Sequence, residues 1–243
     1  MYEPKFYRNW QGNDDLTTFD VRVEETDLFI RAGKDLRKKA LPLVLKYRKV
    51  IEEYIRREPE FLTSIVPLKH VCPRPPSIIK DMLRSSQAAG VGPMAAVAGA
   101  IAEAVGRELL KFTDEIIVEN GGDIFLKIKK PRTIGIYAGK SALSGKIGIV
   151  VRPGQTPLGV CTSSGRVGHS LSFGRADAVV VMSRSAALAD AVATACANLV
   201  RRESDVKPAI EFVKKIRGVT GAAAIKNDKI AAWGDIKFCE LNF

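Results

Sequence analysis

The sequence is short of several residue types that mark common classes of protein. It has only two histidines and four cysteines, and the cysteines lie far apart without a CxxC pair, which excludes a zinc ribbon. Aromatic residues make up 7% of the chain, and neither an RNP-like motif nor a long basic run is present, so we expect no nucleic-acid partner. No apolar run approaches the roughly 18 residues that a membrane-spanning helix needs.

The first residues also lack the features of a secretion signal. Residues 1–5, Met-Tyr-Glu-Pro-Lys, do not begin the basic, apolar and small-residue succession of a signal peptide. We therefore expect a cytoplasmic protein without a membrane partner, in which buried, reduced thiols are the default. A homo-oligomer is compatible with everything in the sequence.

The bulk composition is that of a folded protein with an anionic partner. The 243 residues are 46% hydrophobic and 27% charged, and the formal net charge is +11. A chain of this length buries a substantial core without disulfides or metals. Because the positive charge is spread over predicted helix faces, a phosphorylated small molecule is a better partner than a nucleic-acid duplex.

The hydrophobic pattern predicts an α+β fold. Alternation over 19–24 and 27–32 predicts a hairpin, and helical spacing follows over 35–57. Further helices are predicted at 77–86, 93–111, 185–202 and 206–217, and further strands at 115–118, 124–129, 133–138, 146–152, 159–162, 178–183, 221–226, 229–232 and 236–240. This order indicates helices layered on a mostly antiparallel sheet. We expect a single domain over 1–243, with two duplicated halves of about 1–115 and 116–243 as an alternative.

A glycine turn separates two of the predicted strands. Asn120, Gly121, Gly122 and Asp123 lie between two apolar segments. Paired glycines allow positive φ and let backbone N–H groups approach a ligand. An ordinary hairpin turn is the simpler interpretation of the same residues, because Asn-Gly is a common hairpin signal.

A second polar pair lies in an alanine-rich helix. Asp190 and Thr194 are one helical turn apart on one face, and the residues between them are only Ala and Val. A carboxylate and a hydroxyl are hard oxygen ligands of the kind that Mg²⁺ takes. The alternative is structural, because aspartate favours the N-terminal half of a helix and threonine can bond to a backbone carbonyl.

The third constellation follows an apolar strand and is rich in hydroxyl groups and glycine. Such a segment can hydrogen-bond an anion through several N–H and O–H groups. Cys161 is the best candidate for a reactive thiol, because hydroxyls and His169 could favour its thiolate, although an inert thiol is common at a strand end. The candidate residues here are Cys161, Thr162, Ser163, Ser164, Gly165, His169 and Asp177.

Taken together, the three segments resemble the ApbE superfamily, whose best-known members are FAD:protein FMN transferases. The 120–123 turn is similar to that family's Asn-x-Gly-Gly-Asp turn, 162–165 to its Thr-Ser-Gly loop, and 189–195 to its Ala-Asp-Ala-x-Ala-Thr-Ala helix. The resemblance implies that Asp190 and Thr194 bind Mg²⁺ and that the two loops bind a flavin nucleotide, FAD or FMN. The family's His-x-x-Asp-Pro-x-Thr-Gly segment is replaced here by residues 169–177.

Nearly the whole chain resembles a smaller branch of that superfamily, uncharacterized protein family 0280. This resemblance implies a T-fold-like α+β architecture. Some archaeal members are associated with sulfur insertion in homocysteine biosynthesis, which adds a sulfur-relay alternative in which a cysteine carries a persulfide.

The sequence thus leads to three hypotheses of function. The first is a Mg²⁺-dependent, transferase-like site for a phosphorylated ligand of the flavin-nucleotide type, with a flavin-acceptor protein as partner. The second is a sulfur relay in which Cys161 or Cys72 carries a persulfide, with His169 as the other catalytic candidate and a sulfur-transfer protein as partner. The third is a metabolite-binding module without catalysis.

Overall fold

An eight-stranded antiparallel sheet organises the computed structural model, which describes residues 15–69, 73–165 and 174–241. The strand order is β1-β2-β3-β4-β7-β8-β9-β10, and a separate three-stranded sheet has the order β11-β6-β5. The strands are β1 (Thr17–Val23), β2 (Thr26–Ala32), β3 (Ile116–Asn120), β4 (Asp123–Lys127), β5 (Arg132–Gly135), β6 (Ile147–Val151), β7 (Leu158–Ser163), β8 (Ala178–Ser183), β9 (Val219–Lys226), β10 (Lys229–Gly234) and β11 (Phe238–Glu240).

Helices cover one face of the large sheet. They are α1 (Arg37–Arg57), α2 (Glu60–Thr63), α3 (Ser77–Ala89), α4 (Val97–Leu109), α5 (Ala186–Leu199) and α6 (Val206–Val213). A 3-10 turn, Pro93–Ala96, precedes α4. The buried face of α1 carries Val44, Ile51 and Tyr54, and that of α3 carries Ile78, Ile79 and Met82. Helices α4 and α5 use small residues instead, because they approach the sheet and each other closely.

Two hydrophobic cores lie on opposite faces of the large sheet. The larger core packs the helices against one face and contains Val118, Phe125 and Cys161. The smaller core packs the three-stranded sheet against the other face and contains Leu126 and Val160. Since successive side chains of a strand point to opposite faces, these assignments fix which residues of β3, β4 and β7 face the helices.

One end of the large sheet carries its hairpin turns. The turns at 24–25, 121–122 and 227–228 lie there, as the strand registers show. The C-terminal end of β7 and the start of β8 reach the same end, because Ser163 pairs with Val179. The predicted glycine turn and hydroxyl-rich segment therefore share one end of the sheet.

The predicted α+β fold with a mostly antiparallel sheet is confirmed, and the element boundaries differ by a few residues. The strand predicted at 115–118 extends to Asn120, and the strand predicted at 236–240 begins at Phe238. The helix predicted over 93–111 begins as a 3-10 turn before α4. The helix predicted to end at 217 stops at Val213.

No single helix in the described ranges is long and apolar enough to cross a membrane. The pair formed by Ser77–Ala89 and Pro93–Leu109 reaches the required length and composition only across a bend of 107°.

Candidate functional site

The predicted glycine turn is the two-residue turn of the β3–β4 hairpin. Asn120 and Asp123 are paired as the last and first residues of the two strands. Gly121 and Gly122 form the turn with φ of 67° and 106°, a conformation that favours glycine. The backbone of these residues is therefore an ordinary hairpin turn. The turn also carries two buried polar side chains, because Asn120 and Asp123 are only 8% and 6% exposed.

Polar side chains of β3, β4 and β7 face the helices. Strand alternation places Asn120 and Asp123 on the same side as Val118 and Phe125, and Cys161 belongs to the core on that side. The Asn120 side-chain amide donates to the carbonyl of Ala98, just after the start of α4, over 3.2 Å. The hairpin is thus fastened to α4 at the point where the helices approach the sheet most closely.

Helix α5 brings the predicted metal pair to the same region. Asp190 and Thr194 are 7% and 5% exposed, and one Asp190 carboxylate oxygen, Oδ2, accepts the backbone N–H of Gly99 over 2.9 Å. A Cβ atom on Gly159 would lie only 2.4 Å from the Cα of Ala186, so α5 lies directly on β7. This contact explains why the helix is built from alanine.

Burial governs the electrostatics of the two aspartates. Burial raises the pKa of Asp123 to about 7. The neighbouring Cys161 thiol and the Thr162 N–H oppose this rise, and the charge of Glu119 adds to it. Burial, followed by the charge of Asp123, raises the pKa of Asp190 well above its usual value, although the Gly99 and Ala98 amides oppose it. Repulsion and desolvation therefore favour a proton or a cation between these carboxyl groups.

Two oxygen atoms at this place lack hydrogen-bond partners within the described part of the chain. They are Asp123 Oδ1 and Ser163 Oγ, both buried. Ser163 is two residues beyond Cys161 on β7, so its side chain points to the same, helix-covered side. Buried polar atoms are nearly always satisfied in folded proteins, so these two atoms are available to a ligand, an ion or an ordered water.

The remaining residues of the hydroxyl-rich segment contribute in other ways. By strand alternation the Thr162 side chain points to the opposite face from Ser163, so Thr162 reaches Asp123 through its backbone N–H. Ser164 Oγ and the Gly165 N–H both donate to the Ala176 carbonyl, over 3.4 and 3.0 Å. His169 and Cys72 lie outside the described residues.

Asp177, predicted to bind the ligand, lies in a buried ion pair. Its Oδ1 is 3.3 Å from Lys226 Nζ, and its Oδ2 accepts the Asn227 N–H over 2.5 Å. The two side chains are 3% and 6% exposed. Asp177 thus connects the start of β8 to the β9–β10 turn, and a direct role in ligand binding stays a prediction.

The environment of Cys161 does not favour a thiolate. The residue is fully buried, and Sγ donates to the Ala186 carbonyl over 3.3 Å. Burial and the charges of Asp123 and Asp190 raise the pKa of this thiol well above its usual value. A persulfide carrier needs the opposite, an accessible sulfur with a depressed pKa.

We therefore expect Cys161→Ala to leave sulfur loading unchanged. After incubation of the protein with a polysulfide, which transfers sulfane sulfur to a thiolate and leaves a shorter polysulfide, cyanolysis is expected to release equal thiocyanate from the wild type and from Cys161→Ala. Cys196→Ala is the matched control, because Cys196 is also fully buried and its pKa is raised to about 12 by burial. Loss of thiocyanate in Cys161→Ala alone would restore the sulfur-relay hypothesis.

Sequence reasoning missed several contributors to this site. Glu119 is 6% exposed and accepts the Gly122 N–H over 3.1 Å, so it braces the turn. The amides of Ala98 and Gly99 supply donors to Asp190. The sequence carried only two signals for these residues. Glu119 stands directly before the glycine turn, and Gly99 is a glycine inside the alanine-rich helix α4.

The donor set fits a hard divalent cation. Asp123 and Asp190 offer carboxylate oxygens, and Thr194 and Ser163 offer hydroxyl groups. Within the described ranges no group of three or more His, Cys, Asp or Glu side chains is arranged to hold a metal. Mg²⁺ commonly takes one or two protein carboxylates and fills its other positions with water and phosphate oxygens.

Solved structures share the overall fold. The flavin transferase ApbE from Vibrio cholerae aligns with a TM-score of 0.58 at 12% identity, over 90% of this chain and 96% of that one. The apo flavinyl transferase ApbE from Pseudomonas stutzeri aligns with a TM-score of 0.59 at 13% identity, over 90% and 94%. At such identities the likeness establishes the fold alone.

Sequence relatives establish the family. A profile of the family described as AbpE bacteria matches residues 8–230. A UPF0280 protein of Methanocaldococcus jannaschii is 42% identical over 222 residues, covering 89% of this chain and 90% of the relative. Another, of Methanothermobacter thermautotrophicus, is 44% identical over 208 residues, covering 82% and 79%. The chain therefore belongs to the UPF0280 family of ApbE-like proteins.

Proposed function

We propose that this protein is a Mg²⁺-dependent, transferase-like enzyme that binds a phosphorylated ligand of the flavin-nucleotide type. Asp190 and Thr194 would hold the metal. The glycine turn of β3–β4 and the segment from Thr162 to Gly165 would hold the ligand. The fold shared with proteins named flavin transferases supports the choice of ligand class.

The observation that carries the proposal is the buried Asp123–Asp190 pair. Both carboxyl groups have raised pKa values, and Asp123 Oδ1 has no hydrogen-bond partner among the described residues. A buried carboxylate oxygen without a hydrogen-bond partner destabilises a fold unless something else satisfies it. A divalent cation would offset the charge of both carboxylates at once. Without a cation, the two buried acids would only destabilise the fold.

The chain's own groups suit a phosphate-bearing ligand. A Cβ added to Gly121 meets nothing within 4 Å, so the turn is open on that side and its backbone can approach a ligand. The free hydroxyl of Ser163 can donate to a phosphate oxygen. Because its pKa lies near 7, Asp123 can accept or release a proton at Oδ1 around neutral pH. Bound Mg²⁺ would neutralise negative charge on the phosphate oxygens.

Calorimetric titration tests the proposal. The wild type is expected to bind FAD only when Mg²⁺ is present. Asp190→Asn keeps an oxygen acceptor for the Gly99 N–H, so the fold should survive while Mg²⁺ affinity falls on the order of 100-fold. Asp190→Ala removes both the charge and the oxygen acceptor, and it should bind Mg²⁺ no better than Asp190→Asn does.

Asp114→Asn is the matched control, because the Asp114 carboxylate is exposed and pairs with the exposed Lys129 ammonium. Its titration is expected to equal that of the wild type. Absence of Mg²⁺-dependent FAD binding in the wild type, or unchanged binding in Asp190→Asn, would refute the proposal. Binding of FAD without any cleavage to FMN and AMP would instead identify a metabolite-binding module.

A further inference from the structure

The Glu103 carboxylate joins α4 to α5. Its Oε2 accepts the backbone N–H of Ala186 over 2.7 Å, across 83 residues of sequence. Its Oε1 pairs with Arg107 one turn further along α4, at 2.7 Å. Ala186 is the first residue of α5, and an N–H at that position has no partner within its own helix. Glu103 therefore supplies from a neighbouring helix what a capping residue normally supplies locally.

A second bond between the same helices lies one turn away. The Gly99 N–H donates to Asp190 over 2.9 Å. Gly99 and Glu103 are four residues apart on α4, and Ala186 and Asp190 are four residues apart on α5. The two bonds therefore form rungs between antiparallel helices, and each rung fixes how far α5 can slide along α4.

The packing beside these rungs leaves little freedom. A Cβ atom on Gly99 would come within 2.3 Å of the Ala186 carbonyl oxygen, so the backbones are in direct contact. Arg107, the ion-pair partner of Glu103, lies over the Phe125 ring with 5.3 Å from its guanidinium carbon to the ring centroid. Phe125 is two residues from Asp123 on β4. One carboxylate thus connects the helix that carries Asp190 to the strand that carries Asp123.

We propose that Glu103 is a positioning residue that sets the register of α5 against α4 and so holds Asp190 beside Asp123. The consequence for metal binding rests on the proposed function. Glu103 itself need not contact the metal or the ligand. Residues that orient a metal's ligands without contacting the metal lower metal affinity when they are removed. Glu103 would act in this way on Asp190.

Three variants separate positioning from stability. Glu103→Ala removes the acceptor, and Mg²⁺ affinity measured by calorimetry is expected to fall about tenfold. Glu103→Gln keeps an oxygen acceptor for the Ala186 N–H and should stay within about threefold of the wild type. Val105→Ala, at a fully buried position of the same helix, destabilises the fold without touching the rungs, and its Mg²⁺ affinity should not change.

Equal loss of affinity in Glu103→Ala and Val105→Ala, or unchanged affinity in Glu103→Ala, would overturn the inference. If the wild type binds no Mg²⁺, only the proposed function is refuted. The role of Glu103 can then still be tested by a measurement that needs no metal. In the metal-free protein, the Gly99 amide hydrogen should exchange faster in Glu103→Ala than in Glu103→Gln or Val105→Ala. Its rate is measured in each variant relative to amides that exchange only by global unfolding. Equal exchange in all three would also overturn it.

Discussion

Gly99→Ala is expected to lower the free energy of unfolding by about 3 kcal/mol or more, and to abolish Mg²⁺ binding. The added Cβ would lie 2.3 Å from the Ala186 carbonyl oxygen and 2.9 Å from the Asp190 Cβ. The nearest obstacle is backbone, so no rotamer change relieves the clash, and α4 and α5 must separate. Separation breaks the hydrogen bond from Gly99 to Asp190, and the carboxylate moves. Urea unfolding and calorimetry with Mg²⁺ measure the two effects.

Gly154→Ala is the control for this substitution. A Cβ added at Gly154 meets nothing within 4 Å, and its φ is not positive. Alanine there restricts the unfolded chain and should leave stability within about 1 kcal/mol of the wild type. Wild-type stability in Gly99→Ala would mean that α4 and α5 are not in backbone contact, and the register argument for Glu103 would fail with it.

Local sequence patterns were sufficient for the elements of the sheet. Alternation over 19–32 gives one hairpin, and the Gly121–Gly122 pair gives another, because both features act between neighbouring residues. Asp190 and Thr194, one helical turn apart in an alanine-rich helix, are both buried, and their role as metal ligands stays a prediction. In each case residues close in sequence carry the information.

Contacts between distant segments could not be read from the sequence. The separate sheet β11-β6-β5 forms because residues near 148 pair with residues near 134 and near 239. Glu103 meets Ala186 across 83 residues, and Asp177 meets Lys226 across 49. The sequence made Cys161 the best candidate for a reactive thiol, yet α5 lies close to Gly159 and Ala186 lies against the Cys161 thiol, so the thiol is buried. Such burial depends on packing, which no local pattern encodes.

The element order bears on the predicted duplication. A hairpin, helices and a second hairpin occur from β1 to β4, and the same order occurs from β7 to β10. A duplication would therefore divide the large sheet between β4 and β7 rather than near residue 115. The duplication stays a prediction, and the candidate site lies where these two four-stranded units meet, since Ile124 of β4 pairs with Val160 of β7.

In the metal-free protein, Asp123→Asn is expected to raise the free energy of unfolding at pH 8 by about 3–4 kcal/mol. Asp123 binds a proton more tightly in the fold, with a pKa of about 7, than in the unfolded chain, with a pKa near 3.8. Its contribution to stability is therefore fully present below about pH 3.8 and is lost as the pH rises to about 7. Asparagine is neutral throughout, so the variant escapes this loss.

The dependence of the free energy of unfolding on pH tests this prediction. Urea unfolding in EDTA should show similar stability for wild type and Asp123→Asn near pH 4 and a growing difference between pH 4 and 7. Asp114→Asn should not show it, because the pKa of the exposed Asp114 is lowered by its hydrogen bond to Lys129. Parallel profiles for wild type and Asp123→Asn would show that Asp123 is not a buried carboxyl group with a raised pKa.

Magnesium should change this comparison if the pair of aspartates is a cation site. At pH 8 the cation offsets the charge that destabilises the wild type, so Mg²⁺ should raise the free energy of unfolding of the wild type more than that of Asp123→Asn. A ligand stabilises only the state that binds it, and the neutral asparagine leaves less charge to offset. Equal stabilisation of both proteins by Mg²⁺ would place the cation away from Asp123 and would remove the buried pair as the basis of the proposed function.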